Sequence, residues 1–212
     1  MNRFNDKPIG ILAVQGDFEL HARMLERIGA LWKLVKHASD LNGVSGLIMP
    51  GGESTTMLKF LEGRGEAAPR PAVRATQRIT PTMREAICQF AAQGKPIFGT
   101  CAGAILLAKE VRNPAQESLG LIDIAIERNA YGRQIDSSVR RGDCPELSAA
   151  PVEMVFIRAP IIRRVGAGVR VLGTCDGLAV LVEQGDIVAG TFHPELTLDE
   201  TIHRYFLKKT SH

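Results

Sequence analysis

Unbroken apolar runs alternating with helical stripes dominate the first hundred residues. Ile9-Gly10-Ile11-Leu12-Ala13-Val14 is apolar throughout, the pattern of a strand buried on both faces of a parallel sheet. Over residues 19–28 the apolar positions Leu20, Met24, Leu25 and Ile28 fall at helical spacing, Gly29 stops the helix, and 31–35 follows as a strand. The chain therefore opens with a β-α-β unit. Gly46-Leu47-Ile48-Met49 predicts a third strand, which runs through Pro50-Gly51-Gly52-Glu53-Ser54-Thr55-Thr56 into a helix over 57–61. Thr82-Met83-Arg84-Glu85 has the form of a capping box, in which the threonine and glutamate side chains satisfy each other's free backbone N–H groups. It opens a helix with Met83, Ala86, Ile87 and Phe90 on one stripe, ended by Gly94. A strand at 96–98 and a helix over 104–109 follow.

Beyond that point strands prevail. Residues 121–128 alternate in part, 152–157 and 169–172 are further strand candidates, and 129–150 reads as polar and irregular. Segments 179–183 and 187–192 flank Gln184-Gly185-Asp186, the turn chemistry of an antiparallel hairpin. Thr197-Leu198-Asp199-Glu200 reads as a second capping box, opening a last helix that buries Leu198, Ile202 and Phe206. No internal repeat is visible. Alternating strands and helices predict a single α/β domain over 1–212, flavodoxin-like, with a mostly parallel central sheet flanked by helices and an antiparallel hairpin near the C-terminus. Segment 63–80 is rich in Gly, Pro and charge without apolar periodicity, and is expected to be a mobile surface insertion.

Composition narrows the function. With 212 residues, 45% hydrophobic and 23% charged, the chain can bury one sizeable core. A net charge of +3 with scattered basic residues and 5% aromatics leaves no nucleic-acid footprint. The sequence has no apolar run of membrane-spanning length, and its first residues lack the apolar core of a signal peptide, so no membrane association and a cytoplasmic location are expected. Cys88, Cys101, Cys144 and Cys175 lack metal-ligand spacing, and neither a metal nor a cofactor is expected.

The candidate chemistry centres on Gly99-Thr100-Cys101-Ala102-Gly103, between a predicted strand and a predicted helix. Such an abrupt turn calls for glycines, and it lifts the apex thiol to the carboxyl end of the sheet and the amino end of a helix, where unsatisfied N–H groups favour negative charge. A cysteine nucleophile also needs a base. Phe192-His193-Pro194-Glu195 supplies one: if the backbone is extended, His193 and Glu195 share a face, and the carboxylate can orient the imidazole and stabilise its protonated form. Cys101, His193 and Glu195 thus read as nucleophile, base and orienting acid. His21, His37, His203 and His212 read as ordinary surface residues, and Cys88, Cys144 and Cys175 as structural or incidental thiols.

Gly-x-Cys-x-Gly, a distant Phe-His-Pro-Glu and an earlier Pro-Gly-Gly-Glu-Ser resemble the triad (class I) glutamine amidotransferases. Within them, Leu12-Ala13-Val14-Gln15-Gly16, the segment from Pro50 to Met57, Glu127-Arg128-Asn129-Ala130-Tyr131-Gly132-Arg133-Gln134, Phe156-Ile157-Arg158-Ala159-Pro160 and Thr191-Phe192-His193-Pro194-Glu195-Leu196 are similar to the glutaminase subunits of pyridoxal 5′-phosphate synthase. The resemblance covers nearly the whole chain, with the 63–80 stretch as its main departure. It implies hydrolysis of L-glutamine to glutamate and ammonia, with oxyanion donors at the N–H groups of Gly52 and Ala102. It further implies glutamine contacts from Gly51, Gly52, Glu53, Arg128, Ile157 and Arg158, and a (β/α)8-barrel synthase subunit as the partner that takes the ammonia. The residues themselves leave open the glutaminase of another synthase, a cysteine hydrolase of similar fold, or a non-catalytic binding homologue.

Overall fold

Ile9–Leu12 (β1) is buried at every position, as its unbroken apolar run requires. The chain continues through α1 (Phe18–Ile28), β2 (Trp32–Val35), a 3₁₀ turn, β3 (Gly46–Met49), α2 (Ser54–Leu61), α3 (Met83–Ala92), β4 (Ile97–Thr100) and α4 (Ala102–Leu107). Then come β5 (Ala108–Arg112), β6 (Ile122–Glu127), β7 (Ser137–Gly142), β8 (Val152–Ile157), β9 (Ile161–Val165), β10 (Arg170–Cys175), β11 (Leu178–Gln184), β12 (Ile187–Gly190), a 3₁₀ turn over Pro194–Leu196, and α5 (Thr201–Lys209). The computed structural model describes residues 6–64, 81–129 and 137–211. Most of the expected 63–80 insertion, and residues 130–134 of one family motif, lie outside them.

The central sheet has the order β10-β11-β12-β4-β3-β1-β2. Strands β2, β1, β3, β4 and β12 are parallel, while β11 and β10 continue antiparallel at one edge. This is the mostly parallel sheet with a C-terminal antiparallel hairpin that the apolar pattern predicts. Helices cover both faces. Met57 of α2, Ile87 of α3 and Leu106 of α4 pack with Leu12 and Met49 on one face, and Leu25 of α1 and Phe206 of α5 pack with Ile11, Ile48 and Phe98 on the other. Strands β5, β6 and β9 form a small mixed sheet, and β7 with β8 an antiparallel ribbon.

Four expectations need correction. The 104–109 helix stops at Leu107, because residues 108–112 find a sheet partner in β6 that outweighs the helix propensity of Ala108 and Lys109. Strand β7 lies within the stretch read as irregular; its positions are largely solvent-facing, so its sequence is polar and carries no apolar signal. Strand β9 went unread because Arg163 and Arg164 break its short apolar run. The last helix begins at Thr201, not near 198. Thr197 Oγ1 accepts from Asp199 N–H at 3.1 Å and Asp199 Oδ1 from Thr201 N–H at 2.9 Å, two chained turns in place of a capping box. Leu198 is 85% exposed, whereas Ile202 and Phe206 are buried as expected.

Candidate active site

The site lies where the parallel strands end, the edge of such a sheet at which loops converge. Cys101 follows β4 directly. It adopts φ 47° and ψ −103°, a conformation L-residues avoid at a cost of about 1–3 kcal/mol, and its N–H donates to the Gly190 carbonyl at 2.8 Å. The strain thus sits on the cysteine at the apex, and its flanking glycines supply the close backbone approach that the abrupt turn calls for. A Cβ on Gly99 would come within 2.7 Å of the Gly103 carbonyl carbon, and one on Gly103 within 2.0 Å of the Met49 oxygen, so β4, α4 and β3 close up only with hydrogen at both positions. Ala102, the first residue of α4, presents its backbone N–H beside the thiol-bearing residue.

Strand β12 is the parallel neighbour of β4, with Gly190 in register with Thr100. It therefore delivers His193 beside Cys101, and the His193 N–H is anchored on the Val155 carbonyl of β8 at 2.8 Å. His193 Nδ1 lies 2.8 Å from Glu195 Oε1. The pairing is the expected one but its geometry is not extended: a 3₁₀ turn at Pro194–Leu196 curls the carboxylate back onto the ring. With Nδ1–H committed to Glu195, Nε2 is the ring nitrogen left to exchange a proton with Cys101. Burial by itself lowers the basicity of His193, but hydrogen bonding and charge attraction to Cys101 and Glu195 outweigh it, raising the pKa to about 10. Burial opposes ionisation of Glu195 too, and His21 and His193 overcome it, holding the carboxyl below its usual range.

The Gly51-Gly52 pair, after β3, forms a further wall. A Cβ on Gly51 would stand 2.4 Å from His193 Cε1 and 3.5 Å from Cys101 Cβ, so any larger residue would push the imidazole away. Gly52 has φ 148° and abuts Gln15 Oε1, which accepts the Glu53 N–H at 2.8 Å. The Gly51 carbonyl accepts from Asp17 N–H at 3.3 Å. Glu53 caps α2, accepting from the backbone N–H and hydroxyl groups of both Thr55 and Thr56. Those bonds outweigh its desolvation and lower its pKa to about 2, so it is a fixed anion. Arg128, largely buried just after β6, lies 3.5 Å from it. Ile157 closes β8, two residues beyond the Val155 carbonyl that anchors His193, and Arg158 follows, exposed and at φ 45°.

The structure thus brings together Cys101, His193, Glu195, Gly51, Gly52 and Ala102, with Glu53 and Arg128 paired nearby and Ile157 and Arg158 at the end of the adjacent ribbon. Among the described residues, one cluster of metal-ligating type occurs, Asp17, His193 and Glu195 within 4.8 Å of one another, and two of its members are already engaged with each other. Gln15 went unassigned in the sequence although it stands in a family motif. The larger omission is His21 and His203, which are wholly buried and correct their reading as surface residues. His21 shares a helical face with Leu25 and Ile28, and His203 with Phe206 and Leu207, a signal for burial that the polar ring obscured.

The SNO glutamine amidotransferase family model matches residues 11–212. The pyridoxal 5′-phosphate synthase subunit PdxT of Solibacter usitatus is 50% identical, covering 96% of this chain and 99% of its own length; that of Koribacter versatilis is 48% identical, covering 94% of each. A crystal structure titled glutamine amidotransferase superposes with a TM-score of 0.82 at 41% identity, covering 95% of this chain and 98% of that one. By sequence along almost its whole length, and by fold, the chain belongs to the SNO glutamine amidotransferase family.

Proposed function

We propose that this chain is the glutaminase subunit of a pyridoxal 5′-phosphate synthase, hydrolysing the side-chain amide of L-glutamine and passing the ammonia to a (β/α)8-barrel subunit. The observation that carries this reading is a strained cysteine with its base and orienting acid aligned at the sheet edge, in a chain whose relatives bear that synthase's name.

In the proposed reaction the Cys101 thiolate attacks the amide carbon. The oxyanion is met by the N–H groups of Ala102 and Gly52, each such donor typically worth about 3 kcal/mol of barrier. The His193 imidazolium gives its proton to the departing ammonia, leaving a thioester and a neutral ring. Water then attacks with His193 Nε2 taking its proton, and glutamate leaves as the thiolate is restored. Glu195 keeps Nδ1 protonated throughout. Arg128, Glu53, Ile157 and Arg158 hold the α-carboxylate and α-ammonium of the substrate, opposite charges that a guanidinium and a fixed carboxylate suit. Ammonia release from glutamine, measured with and without the synthase subunit, tests the reading; a chain that releases none in either state refutes it.

A further inference from the structure

Behind Glu195 the core contains a chain of polar groups that the triad does not require. His21 of α1 and His203 of α5 are fully buried, with His21 Nδ1 2.9 Å from His203 Nε2. On its other side His21 Nε2 lies 3.2 Å from Thr100 Oγ1 and 3.4 Å from Glu195 Oε2. Phe98 packs edge-on against both rings, 6.4 Å and 5.8 Å between centroids, within an otherwise apolar cluster. Two imidazoles at this depth carry a desolvation cost that an apolar pair of the same volume would not. The placement of His21 is specific: it stands against the residue before Cys101 and the second oxygen of Glu195, with His203 behind it.

Electrostatics selects one arrangement of protons. If His21 carried its proton on Nδ1, the Nε2 lone pair would face the Glu195 carboxylate, a repulsion in a medium of low dielectric. With the proton on Nε2 the N–H donates to Thr100 Oγ1 and lies near Oε2 without hydrogen-bonding to it, and Nδ1 accepts from His203 Nε2–H. His203 Nδ1 then keeps a bare lone pair, in keeping with its lack of a hydrogen-bond partner. Burial lowers the pKa of both rings, against the pull of the Glu195 charge, so both are neutral. The titratable groups that reach His21 are Glu195 and His193 after β12, His203 on α5 and Asp17 at the head of its own helix; Arg27 also acts on His203.

Resting on the glutaminase reading above, we propose that His21, locked as the Nε2–H tautomer by His203, is a positioning residue that fixes the Glu195 carboxylate against His193. Oε1 serves His193, and the positive end of the His21 N–H dipole stands 3.4 Å from Oε2, which accepts no hydrogen bond, so charge attraction from behind opposes rotation of the carboxylate when the imidazolium forms. The triad thereby extends to five side chains and is tied, through Thr100, to the strand end that bears the nucleophile.

The test uses the full chain with three substitutions and two readouts. His21→Leu fills the space without a donor, His21→Gln places an N–H near the Nε2 position, and His203→Gln serves as a second route to the same network. The pH profile of Cys101 alkylation by iodoacetamide reports the imidazolium without any substrate. Its alkaline limb is expected to move down by about one pH unit in His21→Leu and to return most of the way in His21→Gln. With the synthase subunit present, kcat for glutamine falls about tenfold in His21→Leu with KM unchanged. An unmoved limb in His21→Leu, or equal shifts in the Leu and Gln variants, overturns the proposal. Should His21→Leu not fold, ¹⁵N imidazole spectra of the unsubstituted chain decide: Nε2–H with bare Nδ1 at His21 supports it, and the opposite tautomer overturns it. Absence of glutamine hydrolysis in the unsubstituted chain refutes the glutaminase reading alone, since the alkylation profile and the spectra do not depend on it.

Discussion

The backbone N–H of Cys101 donates to the carbonyl of Gly190 at 2.8 Å, which ties the nucleophile's strained turn to the strand that carries His193 three residues later. Nucleophile and base are therefore placed by a single parallel strand pair, and each has a separate job. Cys101→Ala and His193→Asn are each expected to lower glutamine hydrolysis by at least ~10³-fold with the fold intact, measured by ammonia release alongside circular dichroism. Residual activity within tenfold of the unsubstituted chain contradicts the assigned roles.

The strain at Cys101 makes a prediction about stability. At φ 47° a glycine is comfortable and an alanine is not, so Cys101→Gly should exceed Cys101→Ala in stability by about 1 kcal/mol, both being inactive. Denaturant unfolding of the two variants measures the difference. Equal midpoints would mean the elbow holds no strain.

Gly51 is the tightest point of the wall. Gly51→Ala puts a methyl 2.4 Å from His193 Cε1, and the ring must tilt. The expected loss in kcat is about 10²-fold or more, with the alkaline limb of thiol alkylation displaced as well. Arg128→Gln, by contrast, removes the cation beside Glu53 and is expected to raise KM for glutamine tenfold or more with a smaller change in kcat.

Stability should depend on pH from both sides. His21 and His203 have folded pKa values below the unfolded 6.5, His203 at about 3, so their contribution is full above pH 6.5 and is lost as the pH falls and the unfolded chain takes up protons the folded one refuses. A ring held neutral through the window below pH 6, as His203 is, contributes a slope of about 1.4 kcal/mol per pH unit, and His21 adds to it in the same direction. His193, raised to about 10, acts oppositely: its contribution is present below pH 6.5 and fades between 6.5 and 10. Urea midpoints across pH 4.5–10 are expected to peak near neutrality, and His203→Gln to make the acid slope shallower. A flat acid limb would show that the two rings are not buried neutral.

Most of the parallel sheet was legible because strands covered on both faces have little choice of residue. The segments 9–14 and 46–49 carry nothing but apolar or small side chains, and β1 and β3 sit within or on those bounds. The small ribbon was not: Ser137–Gly142 is a strand only because β8 pairs with it, and pairing leaves no mark in its own sequence. The triad could be read from two short motifs, yet the joining turn was misread, since extended and 3₁₀ geometry both bring His193 and Glu195 together. His21 and His203 escaped because helical periodicity was counted over apolar residues, and an imidazole on the buried face looks polar from sequence alone.

The adjacency of β4 and β12 also sets the order in which reactivity arises during synthesis. As Cys101 leaves the ribosome, neither the Gly190 carbonyl that fixes its turn nor the imidazole that activates it has been made. The nascent thiol is then an ordinary cysteine on an incomplete sheet, and it gains its base only when the last strand inserts beside β4. The nucleophile is disarmed by topology until β12 has been made and has joined the sheet beside β4.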